Sequence, residues 1–147
     1  MLARRELSVA QTRARLIDRE HDVAQVDAAI ERLLETGALD DGRVARAYAR
    51  TALKVKGRGR LRIQSELHAM GIPRDVAAEA LAETLGEVDE RSLIAKAIQK
   101  KLRGHPKIAT RAEYARLYQF LIRQGFSPAG VSAALRAFRR GLALEDT

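Results

Sequence analysis

The chain has 147 residues, of which 46% are hydrophobic and only six are aromatic, and its net charge is +8. It contains no cysteine, which excludes disulfides and thiolate chemistry, and no run of about 18 apolar residues that could span a membrane. No hydrophobic region typical of a signal peptide follows the start. We therefore expect a cytoplasmic protein that is not inserted in a membrane.

The charges are divided into four blocks along the chain. Residues 1–40 have a net charge of −2, residues 41–74 of +7, residues 75–99 of −4 and residues 100–147 of +7. Two basic blocks separated by an acidic block indicate nucleic acid, or a partner with a polyanionic groove. The alternative is that arginine and lysine only solvate helix faces.

The first cap signal lies near residue 22. Asp22 is placed to cap a helix that runs to about Thr36, where Gly37 ends it. Asp40 is placed to cap the next helix, which extends to the region of Lys56. Because short polar residues cap helix starts and glycine follows helix ends, these positions predict two helices with a short connection.

The same signals continue through the second half of the chain. Gly71 ends a helix and Pro73 stands near the start of another. Thr110 and Glu113 form a capping-box pattern, and Ser127-Pro128 marks a further start. An amphipathic stripe follows, made of Val131, Ala134, Leu135, Phe138 and Leu142. We predict about eight helices and an all-α fold.

One helical pattern recurs about every 50 residues. Its central copy consists of Leu67, Gly71, Ile72, Ala77 and Leu81. A displacement of 54 residues gives Leu121, Gly125, Phe126, Val131 and Leu135. A displacement of 51 gives Leu16, Glu20, His21, Val26 and Ile30.

A fixed period of this length predicts stacked helical units and an extended recognition surface rather than an enzyme. We place the units at residues 4–54, 58–102 and 110–142, the last with two helices only. In the first copy Glu20 replaces the glycine, and we expect His21 beside it to pack at the junction.

Catalytic and ligand-binding patterns are weak. The histidines have no metal-ligand spacing, and the run from Gly57 to Arg60 lacks the spacing of a phosphate-binding loop. Asp40 and Asp41 fit a helix start better than a pair of catalytic acids. We predict no catalytic residue, no cofactor and no metal site.

Three groups of basic residues are the candidate binding residues. The first is Lys54, Lys56, Arg58, Arg60 and Arg62, the second Lys96, Lys100, Lys101, Arg103 and Lys107, and the third Arg136, Arg139 and Arg140. The first surrounds a predicted helix start, where backbone N–H groups favour anions. Alternatively, Arg62 only pairs with Glu66 one turn later. The first two groups contain no aromatic residue, which argues against stacking on single-stranded bases.

The sequence also resembles a known family. The central segment carries Gly57, Arg60, Ile63, Leu67, Gly71 and Ile72, and it is preceded by Asp40, Asp41, Val44, Ala45 and Tyr48. With Leu121, Gly125, Phe126 and Ser127 near the C-terminus, this pattern looks like the RecX family of recombinase regulators. The resemblance covers residues 5–140.

This resemblance implies tandem three-helix repeats in a curved, elongated array. It implies a partner, the RecA recombinase as a filament on single-stranded DNA, and a role in homologous recombination, DNA repair and the SOS response. Family members restrain the ATPase, strand-exchange and coprotease activities of the filament. We expect a monomer that also binds DNA weakly and in a salt-sensitive way.

The sequence leaves two alternative functions open. The first is a stand-alone basic helical DNA-binding protein without recombinase specificity. A helix-turn-helix pair around Gly71 would place the helix from Pro73 to Leu85 in the major groove, but that helix is mainly acidic. The second is an interaction repeat with another partner, which co-purification would identify.

Overall fold

The computed structural model describes residues 6–86, 88–103, 108 and 110–145, with side chains up to residue 139. This described part contains eight α-helices and no strand, which confirms the all-α prediction. The helices are α1 (Val9–Asp18), α2 (Val23–Glu35), α3 (Asp41–Lys54), α4 (Arg60–Ala69), α5 (Arg74–Leu85), α6 (Glu90–Lys101), α7 (Arg111–Gln124) and α8 (Pro128–Glu145).

Most of the predicted caps lie where the sequence puts them. The Asp40 carboxylate accepts from the Arg43 N–H at 3.1 Å, and the Thr110 hydroxyl oxygen accepts from the Glu113 N–H at 3.1 Å. Asp22 occupies the N-cap position of α2 but makes no side-chain capping bond. Local sequence therefore sets the helix starts to within about a residue, as helix capping rules lead one to expect.

The chain divides into two compact units, each made of two stretches of sequence. Unit 1 comprises residues 1–51 and 64–86, and unit 2 comprises residues 52–63 and 87–147. Helices α3 and α4 each contribute residues to both units. These units are defined by packing rather than by repetition, so the repeats at 4–54, 58–102 and 110–142 stay a prediction.

Unit 1 contains the packed pair α1 and α2. A buried cluster of Val26, Ile30 and Leu39 holds the pair together, with Leu16 against it. The start of α1 is fixed by buried Ser8, whose hydroxyl donates to the Met70 carbonyl at 2.5 Å. Asp41 adds a second bond there, because its carboxylate accepts from the Val9 N–H at 2.9 Å.

Arg43 holds the connection between α2 and α3 in unit 1. Its guanidinium donates to the Gly37 carbonyl at 2.8 Å and to the Ala38 carbonyl at 3.2 Å. It also forms a two-bond contact with the Glu6 carboxylate, which raises the pKa of Arg43 above its ordinary value. The arginine is therefore charged at every relevant pH, and the contact is structural.

Unit 2 contains a bundle of α6, α7 and α8, each of which packs against the other two. The Glu90 carboxylate in the first turn of α6 accepts from the Ser127 N–H at 2.8 Å and so covers the start of α8. The buried core of the bundle consists of Ile94, Ile98, Leu117, Leu121, Phe126, Val131 and Leu135. The four residues of the α8 stripe that lie in this core or against it are Val131, Ala134, Leu135 and Phe138.

The recurring sequence pattern corresponds to one recurring backbone junction. Glu20, Gly71 and Gly125 all have positive φ, at 62°, 78° and 103°. In each copy this residue donates to the carbonyl three residues earlier, and the next residue donates to the carbonyl five residues earlier, which is the Schellman helix ending. The pattern is therefore a helix-ending signal.

The first junction lacks the apolar residue that completes the other two. Ile72 and Phe126 are buried at 2% exposure, whereas His21 at the same position is exposed. The expectation that His21 packs there is wrong, because the backbone bonds alone close this junction. Glu20 holds a left-handed conformation that costs an L-residue about 1–2 kcal/mol.

Replacing Glu20 with glycine should relieve this conformational cost. We expect Glu20→Gly to raise the free energy of unfolding by about 0.5–1 kcal/mol, because glycine's own entropy offsets part of the gain. Urea unfolding followed by circular dichroism measures the change. Glu20→Gln keeps the strain and removes the charge, so an equal gain in that variant would contradict the conformational explanation.

In unit 2 the segment before α4 lies directly on the end of α7. The Gly59 N–H donates to the Gln124 carbonyl at 2.7 Å, and the Leu61 N–H donates to the Gly125 carbonyl at 3.0 Å. A Cβ atom on Gly59 would lie 2.6 Å from the Gly125 carbonyl group. Two glycines are therefore needed where the two backbones meet.

Gly125→Ala should be strongly destabilising. The added Cβ would lie 2.4 Å from the Arg62 Cβ and 2.5 Å from its backbone nitrogen, at a φ of 103°. We expect a loss of about 2–4 kcal/mol in the free energy of unfolding. Gly57→Ala is the matched control, since Gly57 has a φ of 62° with no atom within 4 Å of its added Cβ. It should lose only about 1 kcal/mol, and equal losses would contradict the close backbone approach.

Candidate functional site

The positive charge of the chain belongs to unit 2. Unit 2 has 17 basic and six acidic residues, a net charge of +11, and unit 1 has 10 basic and 13 acidic residues, a net charge of −3. The four blocks of the sequence thus become two units of opposite sign. A polyanionic partner would be attracted to unit 2 and repelled by unit 1.

A first groove in unit 2 brings together residues from the first two basic groups. It lies among the end of α3, helix α6 and helix α7, and its volume is about 650 Å3. We call it the lysine groove. Its lining consists of Leu53, Lys54, Val55, Lys56, Gly57, Val88, Leu93, Lys96, Ala97, Lys100, Lys101, Phe120 and Gln124.

The lysine groove combines five ammonium groups with an apolar floor. The Lys101 Nζ lies 4.5 Å from the centre of the half-buried Phe120 ring, within cation–π distance. Val55 and Val88 at the groove are 72% and 38% exposed. The expectation that no aromatic residue accompanies the first two basic groups is wrong, because Phe120 on α7 lies beside Lys101 at the end of α6.

A second groove, between α6 and α8, contains two residues of the third basic group. This arginine groove has a volume of about 1040 Å3, and the cations that line it are Arg91, Arg136 and Arg139. Phe138 lines it as well, and the Arg139 guanidinium lies 5.6 Å from the Tyr114 ring centre. The planar guanidinium group can donate two parallel hydrogen bonds to the oxygens of a phosphate.

Sequence reasoning missed Arg91, which lies in the acidic block 75–99. Only the packing of α6 against α8 places it beside Arg136. It also missed the exposed valines of the lysine groove, because each is a single apolar residue in a polar loop. A helical wheel of α6 could have found part of the first groove, since Leu93, Lys96, Ala97 and Lys100 share one face.

The other predicted residues are not collected in one place. Arg60 and Arg103 are exposed and line neither groove, and Arg58 is half-buried. Lys107 lies outside the described residues, as does the side chain of Arg140. The first basic group is therefore divided between the lysine groove, which Lys54 and Lys56 line, and the start of α4 with the residues just before it.

Arg62 has a structural contact. It is half-buried, and its guanidinium donates to the Arg123 carbonyl at 3.3 Å and to the Gln124 side-chain oxygen at 3.1 Å. The start of α4, which was expected to favour anions, directs the N–H groups of Gly59 and Leu61 to the end of α7 instead. The opposite partial charges of two helix ends meet there.

Arg60 and Arg62 form a matched pair for testing this distinction. We expect Arg62→Ala to lower the free energy of unfolding by about 1 kcal/mol through the lost bonds to the end of α7. Arg60→Ala should change it by less than about 0.5 kcal/mol, because the side chain is exposed. Thermal and urea unfolding measure both, and equal effects would contradict the structural role of Arg62.

Two further features are absent from the described residues. No helix there is long and apolar enough to cross a membrane. Within the same ranges, no group of three histidine, aspartate or glutamate side chains is placed to hold a metal ion. His105 lies outside the described residues.

Comparison with known proteins identifies relatives of the whole chain. Residues 40–81 match the family model described as RecX, second three-helix domain, and residues 89–135 match RecX, third three-helix domain. The regulatory protein RecX of Halorhodospira halophila is 36% identical over 93% of this chain and 83% of its own length. That of Thermus thermophilus is 37% identical over 95% of this chain and 85% of its own length.

A solved structure has the same fold. The crystal structure of RecX from Lactobacillus salivarius superposes with a TM-score of 0.75 at 17% identity, over 90% of this chain and 86% of that one. The matched ranges 40–81 and 89–135 correspond to α3–α5 and α6–α8.

Proposed function

Because the chain belongs to the RecX family of regulatory proteins, we propose that it binds the RecA recombinase on single-stranded DNA and inhibits it. The affected activities are ATP hydrolysis, strand exchange and coprotease function. The protein acts as a monomer and needs no cofactor. Its contribution is binding, and no catalytic step belongs to it.

The observation that carries this proposal is the division of charge. Unit 2 has a net charge of +11 and contains both basic grooves, whereas unit 1 has a net charge of −3. Basic side chains on one unit suit a target that presents anionic groups over a limited region. A protein that coats bare single-stranded DNA uniformly would instead be expected to carry cations on both units.

The chemistry of the two grooves also favours a target that contains both protein and nucleic acid. The arginine groove offers planar guanidinium groups that suit phosphate. The lysine groove adds exposed valines, which a phosphate backbone does not use. A filament of recombinase on DNA presents both kinds of surface, and bare DNA presents only one.

Fluorescence-anisotropy titration of the labelled chain tests the proposal. The two targets are preformed RecA filaments on single-stranded DNA and the same DNA alone, at physiological salt, with ATP hydrolysis measured in parallel. We expect affinity for the filament at least about tenfold higher than for bare DNA, together with slower hydrolysis. Equal affinities with a steep salt dependence and unchanged hydrolysis would mean a stand-alone DNA-binding protein.

Charge reversal in the arginine groove locates the interaction. Arg91→Glu with Arg136→Glu should weaken filament binding about tenfold or more, because two exposed cations of unit 2 become anions. Arg15→Glu with Arg32→Glu in unit 1 makes the same change in net charge at exposed positions and is the control. An equal loss in both variants would mean that only total charge matters.

A further inference from the structure

We propose that the lysine groove is a docking site for an acidic amphipathic helix of a partner protein. The helix would place aliphatic side chains on the groove floor and carboxylates against the surrounding lysines. This inference concerns the chemistry of one groove, and its test needs no recombinase.

The residues that line the groove do not neutralise its positive charge. Five of its residues are lysines, and none of the described residues that line it is acidic. Lys96 and Lys100 are one helical turn apart on α6, where like charges repel. An anionic occupant would turn this repulsion into attraction, which is the charge complementarity expected of a binding groove.

The floor of the groove fits aliphatic side chains. Leu93 and Ala97 on α6 are half-buried, and Val55 and Val88 are exposed at the same groove. Binding pockets typically have volumes of about 300–1,000 Å3, and about 650 Å3 falls in that range. Such a space accepts the apolar stripe of one helix, with residues at intervals of three and four positions.

Nucleic acid fits this groove less well than an acidic protein segment. Base stacking requires an open aromatic face, but Phe120 is half-buried against the core and Lys101 lies over its ring at 4.5 Å. Lysine also lacks the forked geometry that pairs with phosphate at two points. The exposed valines would gain nothing from a phosphate backbone, whereas an apolar helix face would cover them.

The test uses the full chain and designed probes. The probe is a fluorescein-labelled peptide of about 18 residues, five helical turns, with leucine along one face and glutamate at most other positions. A peptide of the same composition with the leucines scattered controls for charge, and an oligothymidylate of equal length represents nucleic acid. Fluorescence anisotropy at physiological salt gives the three affinities.

Two double variants separate the charged and apolar contributions. Lys96→Glu with Lys100→Glu should weaken peptide binding about tenfold or more. Val55→Ser with Val88→Ser should weaken it about fivefold, because two apolar contacts are lost without any change in charge. The valine variant should leave oligothymidylate binding unchanged. Arg15→Glu with Arg32→Glu is again the control for net charge, and circular dichroism confirms that each variant is folded.

The outcomes are distinct. Binding of the amphipathic peptide at least about tenfold tighter than its scattered form, with losses in both groove variants, supports the proposal. Equal binding of the two peptides, or no effect of the valine changes, overturns it, because the contact would then be general electrostatic attraction. Tighter binding of oligothymidylate, lost in the lysine variant alone, assigns the groove to nucleic acid. None of these results alters the outcome of the filament titration.

Discussion

The contact on which unit 2 depends is the meeting of two helix ends, that of α7 and the start of α4. The N–H groups of Gly59 and Leu61 donate to the last carbonyls of α7, so donors and acceptors that helices leave unused satisfy each other. Their opposite partial charges add to the attraction. Because Gly59 and Gly125 have no side chains, the backbones approach closely enough for these bonds to form. This contact holds residues 52–63 against the α6–α8 bundle.

The lysine groove follows from that docking. Residues 53–57 form one wall of the lysine groove, and they lie there because the next few residues are fixed on the end of α7. The Gln124 side chain takes part as well, since it lines the groove and accepts a bond from Arg62. Arg62, which the sequence predicted as a binding residue, thus contacts a residue of the groove that Lys54 and Lys56 line. Within this short segment Lys54 and Lys56 line the groove, whereas Arg62 contacts the end of α7.

Local signals made the fold predictable from the sequence, and distant packing limited prediction of the site. The caps at Asp40 and Thr110 and the junctions at Gly71 and Gly125 depend on nearby residues, so the all-α fold and the starts of α3 and α7 could be predicted. No cap was predicted at Ser8 or Asp89, where α1 and α6 begin. The grooves depend on which helices pack together, and no local pattern records that Phe120 lies beside Lys101. Glu20 could be recognised only by its place in the repeat, since glutamate rarely adopts positive φ.

The two units alternate along the chain, which limits how either can be expressed separately. The chain changes unit at residues 51/52, 63/64 and 86/87, and the first two of these points lie within α3 and α4. A cut at either point would divide a helix and remove hydrogen bonds from both of its halves. A fragment from residue 87 onward would lack the segment that lies on α7 and with it one wall of the lysine groove. Simple truncation therefore cannot isolate either unit, and circular permutation or a fused linker is needed to express unit 2 alone.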